Sequence, residues 1–135
     1  MDNDVIEGYL INSGITYESL GEGMWVVHDE FDTVDNIIIQ HSDPLVMFRV
    51  KLMELPEDPA LQAALFRKLL ELNATEMLTG AYGIDSDAVV AVETLQAENL
   101  DLNEFQAAID GLTMAITDHY DELKRFHSAD SQAGN

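Results

Sequence analysis

Between Leu102 and Phe126 the residues Leu102, Phe105, Ile109, Leu112, Ile116, His119, Leu123 and Phe126 recur at alternating spacings of three and four. That period describes a helix, from about Asn103 to Phe126, with one unbroken apolar seam. A seam this long must be covered. Either a second helix pairs with it as a coiled coil, or it lies across a sheet as a long core helix; the rest of the chain favours the sheet. Asp101 or Asn103 offers a capping oxygen, and Lys124 and Arg125 suit the negative end of the helix dipole.

The sheet is read from residues 15–54. Ile15-Thr16-Tyr17 leads into the turn Gly21-Glu22-Gly23, and Met24 to His28 is rich in strand-forming residues. Asp35 to His41 is a further strand, and Asp43-Pro44 signals a turn. From Leu45 to Leu55 the chain alternates. Val46, Phe48, Val50 and Leu52 point one way, and Met47, Arg49, Lys51 and Met53 the other. Short turns between consecutive strands imply an antiparallel meander of three or four strands with one buried face. Ile15 to Leu20 is either an extra short strand or part of that meander.

Helices bracket the meander. Residues 4–13 carry Val5, Ile6, Tyr9 and Leu10 on one face, with acidic caps before them and Gly14 after. This helix offers little to a core and is expected to pack loosely or against a partner. Pro56-Glu57-Asp58-Pro59 ends the meander and opens a helix to about Asn73, with Asp58 as cap and Pro59 in the first turn. Its apolar arc is wide: Leu61, Leu65, Leu69 and Leu72 form one row, Phe66, Leu70 and Met77 the next. Such a helix is covered on two sides or makes a dimer contact. Leu78–Ile84 and Ala88–Leu95 form a hairpin around Asp85-Ser86-Asp87. Gly80 and Gly83 mark a bulge or a close backbone approach in its first strand. The expected fold is α+β: an antiparallel sheet of about five strands with helices packed on it, in the order α-β-β-β-α-β-β-α. It forms one domain over residues 1–126, followed by a mobile tail at 127–135.

Charge narrows the partners. The chain has 26 acids against six bases, a net charge of −20, and its first 48 residues carry ten acids and no Lys or Arg. Nucleic acid and anionic lipid, both bound through Lys and Arg, are disfavoured. Cations, basic proteins or a hydrophobic segment are compatible, and a purely solvating acidic shell is the competing explanation. There is no Cys, hence no disulfide, thiolate ligand or cysteine nucleophile. The acidic start and a longest apolar run of five residues, Ala88 to Val92, leave no secretory signal and no membrane span, so a soluble, cytoplasmic protein is expected.

No catalytic motif emerges. His28-Asp29-Glu30 with Asp32 and Asp35, and Asp118, His119 and Glu122, are candidate metal groups without the tight spacing of zinc or calcium sites. Asp85-Ser86-Asp87 begins like a calcium loop but has Val90 and Gln96 where Gly and Glu are required. No catalytic, cofactor-binding or metal residue is assigned. The bases form three near-pairs, Arg49/Lys51, Arg67/Lys68 and Lys124/Arg125, and surface ion pairing accounts for them. Met47 and Met53 beside Arg49 and Lys51 offer an adaptable protein-binding surface. With Phe66 and Leu70 of the middle helix, these are the candidate partner-binding residues.

Four local features then carry a family resemblance. Leu55-Pro56 closes the meander, Leu69-Leu70-Glu71-Leu72-Asn73 ends the middle helix, Ala81-Tyr82-Gly83-Ile84-Asp85 runs into the hairpin turn, and Leu100-Asp101 opens the last helix. From about Val5 to Phe126 the chain resembles the type III secretion chaperone (Tir chaperone) fold, including its YbjN branch. The resemblance implies a non-enzymatic, usually homodimeric, cytoplasmic protein without cofactor that holds an extended partner segment. It marks Asn73, Tyr82, Gly83 and Asp85 as fold-defining and supplies no catalytic residue. The alternatives are a regulatory protein of the same fold with a folded partner, and a small metal-binding protein or enzyme.

Overall fold

The computed structural model describes residues 2–28, 36–77 and 79–133. Its elements are α1 (Asn3–Ser13), β1 (Tyr17–Gly21), β2 (Met24–Val27), β3 (Ile37–Ser42), β4 (Leu45–Glu54), α2 (Pro59–Thr75), β5 (Ala81–Asp85), β6 (Ala88–Gln96) and α3 (Leu102–Ala133). The strands form one six-stranded sheet in the order β1-β2-β3-β4-β6-β5, antiparallel throughout. The α+β architecture is as expected, with one strand more. Residues 17–21 pair with β2 as an edge strand, so four strands precede α2.

Local chemistry places the helix ends. Asp2, Asp58 and Asp101 each accept a first-turn backbone N–H, from Val5, Leu61 and Glu104 respectively. Glu104 reciprocates to the Asp101 N–H, completing a capping box at the start of α3. Gly14 takes the left-handed conformation (φ 70°) that ends α1. The last helix does not stop at Phe126 but continues to Ala133. Helix propagation adds one hydrogen bond per residue, and the small and polar residues beyond Phe126 sustain it without extending the seam.

All three helices pack against one face of the sheet. Trp25, Val27, Ile37, Ile39, Val46, Phe48, Val50, Val89 and Ala91 meet Leu65, Leu69 and Leu72 of α2 and Phe105, Ile109, Leu112 and Ile116 of α3 in a single core. Phe105 stacks obliquely between Tyr9 and Phe48, with ring centroids 5.5 Å apart on each side. The first helix packs more tightly than expected. Ile6 and Leu10 are fully buried, and the Tyr9 hydroxyl donates to the Leu100 carbonyl at 2.8 Å. At its start, His41 Nδ1 lies 2.7 Å from Asn3 Oδ1, and His41 Nε2 lies 2.9 Å from Asp43 Oδ1. That bridge ties α1 to the β3–β4 turn.

One facing assignment is corrected. The alternation of β4 holds through Lys51, and then the β4–β6 register shifts: Lys51 pairs with Val90, but Met53 pairs with Val89. A bulge at Leu52 places an extra residue on β4 and reverses the alternation. Val89 belongs to the core, and Met53 packs half-buried against it instead of sharing the outer face with Met47.

Candidate partner-binding surface

Among the described residues no helix covers the other face of the sheet. Directly paired residues share a face. The register therefore places Val26, Ile38, Arg49, Val92 and Ala81 in one row across it, with Met24, Gln40, Met47 and Thr94 in the next. Met47 is half-buried, and Arg49 and Lys51 are exposed. Both cations are already paired, Arg49 with Asp85 and Lys51 with Glu54. Since β6 lies between β4 and β5, the Arg49 side chain crosses β6 to reach Asp85. Val90, which occupies the same face beside it, is only 5% exposed although no helix covers it.

The other predicted residues lie elsewhere. Phe66 is half-buried and Leu70 is 68% exposed on the outer side of α2, whose inner side supplies Leu65, Leu69 and Leu72 to the core. The candidates therefore fall into two groups: Met47, Arg49 and Lys51 on the open sheet face, Phe66 and Leu70 on α2. Leu20 at the end of β1 is a further exposed apolar residue, at 52%.

The two sheet edges differ in a way that no periodicity reveals. In an antiparallel strand successive residues turn their N–H and C=O to opposite sides. On β1 the His28 N–H donates to the Thr16 carbonyl, so residues 16, 18 and 20 face β2, and Tyr17 and Ser19 direct their backbone groups outward. Among the described residues nothing bonds those groups. On β5 the outward residues are Tyr82 and Ile84. The Tyr82 N–H donates to Asn73 Oδ1 at 2.8 Å, and Asn73 Nδ2 donates to the Tyr82 carbonyl at 3.0 Å. The carboxamide on α2 thus stands where a neighbouring strand would bond.

Tyr82 is also held by its hydroxyl, 2.7 Å from His119 Nδ1 on α3. The ring is 5% exposed and His119 is 6% exposed. Burial, reinforced by the Asp118 and Glu122 carboxylates, raises the Tyr82 hydroxyl far above the ordinary tyrosine range. The seam histidine is therefore a hydrogen-bonded core residue. Among the described residues no group of three His, Asp or Glu could hold a metal. Of the first candidate metal group only His28 lies within them; Asp29, Glu30, Asp32 and Asp35 lie outside the described residues.

Two surface clefts are lined by described residues. One of about 690 Å³ is lined by Val5, Pro44, Ala97 and Leu100 with Asp43, Glu98 and Asn99. The other, about 410 Å³, lies between α2 and α3 and is lined by Leu61, Lys68, Glu122, Arg125 and Phe126. There the Lys68 ammonium, 2.6 Å from Glu122, lowers that carboxyl and is itself raised by it, so both stay charged. No helix among the described residues is long and apolar enough to cross a membrane.

The fold is shared with known structures. YbjN from E. coli, a proposed transcription regulator, superposes with a TM-score of 0.68 at 18% identity, covering 88% of this chain and 91% of that one. A chain of the heterodimeric ExoU–SpcU complex from the type III secretion system of Pseudomonas aeruginosa gives 0.66 at 14% identity, covering 90% and 96%. The structure of the Yersinia pestis type III secretion chaperone SycH with a stable fragment of YscM2 gives 0.59 at 13% identity, covering 84% and 96%. No curated protein sequence matches the chain. The family model of CesT_Tir_1 matches residues 2–129. With its sequence matched over almost its whole length and its fold shared with YbjN and the secretion chaperones, the chain belongs to the CesT_Tir_1 family.

Proposed function

We propose that this protein is a non-enzymatic binding module that holds an extended segment of another protein by strand addition along β1. The observation that carries this reading is the β1 edge, where among the described residues nothing bonds the outward backbone groups of Tyr17 and Ser19, beside exposed Leu20. The segment continues over the sheet face away from the helices, where Met24 and Met47 give adaptable apolar contact and Arg49 and Lys51 flank it. The complex of SycH with a YscM2 fragment and the HopA1–SchA chaperone–effector complex support a protein partner. A charge of −20 favours segments that are basic or apolar over acidic ones and keeps the protein soluble in the cytoplasm. Self-association into a homodimer uses the outer side of α2, where Leu70 and Phe66 are not needed by the core. Likeness to YbjN supports a second reading, a regulatory protein that binds one folded partner.

Ser19→Pro tests the first reading. It removes an outward N–H and leaves the β1–β2 bonds in place, since proline is tolerated on an edge whose N–H faces solvent. Capture from the native host should recover a partner with the parent and lose it with the variant, at unchanged far-UV circular dichroism. Undiminished capture by the variant would refute strand addition at β1.

A further inference from the structure

The sheet has two edges, and a module that takes up a strand at one of them must prevent the other from pairing with strands indiscriminately. Edge β5 is short, from Ala81 to Asp85, and carries no proline and only one charge, Asp85, which is engaged with Arg49. It has an exposed apolar residue, Ile84 at 44%. By composition it is a pairing hazard.

What obstructs it is a single side chain. The Asn73 carboxamide sets an N–H donor and a carbonyl acceptor side by side in the geometry of a peptide group, and both engage Tyr82. Tyr82 is the second of the five β5 residues and one of the two that face outward, so a strand arriving at this edge meets an occupied pair at Tyr82 and a free one only at Ile84. Asn73 can do this because α2 runs past the strand, with Leu69 and Leu72 buried just before it. The Tyr82–His119 bond fixes the same residue from the core side.

We propose that Asn73 is a guard residue: by occupying Tyr82 it obstructs pairing at the β5 edge, so that among the described residues β1 is the edge left with its outward backbone groups free. The significance of that obstruction for partner choice rests on the proposed function. The obstruction itself does not, and it can be measured on the purified protein alone.

The test is Asn73→Ala, examined by sedimentation velocity over a hundredfold range of concentration, alongside the parent and the double variant Asn73→Ala/Ile84→Lys. The single variant should form species larger than the parent's, growing with concentration and rich in β-structure. The added lysine, placed on the same edge, should restore the parent's behaviour. A general loss of stability would not be reversed by one surface charge, so association that persists in the double variant would overturn the proposal. So would an Asn73→Ala protein that stays folded and sediments like the parent at every concentration. Should Asn73→Ala unfold, Asn73→Asp decides. It keeps the acceptor for the Tyr82 N–H but loses the donor to its carbonyl, and partial association must appear or the guard role fails. Association by the Asn73 variants together with unimpaired partner capture by Ser19→Pro would leave the guard standing and remove strand addition at β1.

Discussion

Replacing Tyr82 by Phe removes one oxygen from a buried bond and leaves the ring. The hydroxyl lies 2.7 Å from His119 Nδ1, and both residues are nearly solvent-free. Deleting it leaves a buried imidazole nitrogen without its partner, at a cost of about 1–3 kcal/mol. For a chain of this size, about 2 kcal/mol lowers Tm by roughly 7 °C. The assay is thermal and urea unfolding followed by circular dichroism on the parent, Tyr82→Phe, His119→Leu and the double variant. Because the bond is shared, the double variant should lose less than the two single losses combined, a coupling of about 0.5–3 kcal/mol. The alkaline limb supplies an independent sign. A hydroxyl raised by burial stays protonated in the native state when the unfolded chain has released its proton. Its contribution is complete below the ordinary value of 10.0 and lost as pH rises beyond it. Tyr82→Phe should therefore fall less steeply than the parent at high pH. A Tyr82→Phe protein within about 0.3 kcal/mol of the parent, or strictly additive single losses, would refute the reasoning.

Gly80→Ala should be far worse than Gly83→Ala. Gly80 has φ 76° and its added Cβ would stand 2.5 Å from the Val92 carbonyl oxygen, whereas Gly83 meets nothing within 4 Å. The left-handed backbone alone costs about 1–2 kcal/mol for alanine, and urea midpoints of the two variants measure the contrast. The Lys68–Glu122 pair contributes while both groups are charged. A lowered carboxyl loses its contribution as pH falls below 4.5, and a raised ammonium loses its own as pH rises beyond 10.5. Lys68→Met should flatten the acid limb of stability against pH, and the difference from the parent should shrink in high salt. Leu70→Asp should leave unfolding unchanged, because the side chain is exposed. It should shift sedimentation from dimer to monomer if α2 is the dimer face, and unchanged sedimentation would exclude that face.

Much of this architecture is legible in the sequence because it is encoded locally. The caps Asp2, Asp58 and Asp101, the left-handed Gly14 and the three-four seam of α3 all act within a few residues of themselves. The alternation of Val46, Phe48 and Val50 announces the core face of β4 for the same reason. The bulge at Leu52 is silent because an inserted residue leaves the apolar alternation intact and changes only what it pairs with. Edge strand β1 is faint because four of its five residues are exposed, and exposed positions carry no hydrophobic signal. On the binding surface, Met47 and Leu70 stand out by type, yet the contrast between the edges does not. Asn73 and Tyr82 are visible as separate residues, but their bond depends on how α2 lies beside β5. The Tyr82–His119 bond spans 37 positions and is equally a product of tertiary placement.

The sheet order also sets a timetable. β4 is central in the finished protein, but its partner β6 is synthesised only after α2 and β5. The 33 residues 55–87 must leave the ribosome between the end of β4 and the start of β6, and at about 5–20 residues per second this takes about 2–7 seconds. Throughout that interval Leu45–Glu54, the longest strand, carries an apolar face and an unbonded flank into the cell. The nascent chain is thus, for a time, a candidate client itself, and its yield should depend on elongation rate and on the folding helpers that meet it at the exit tunnel.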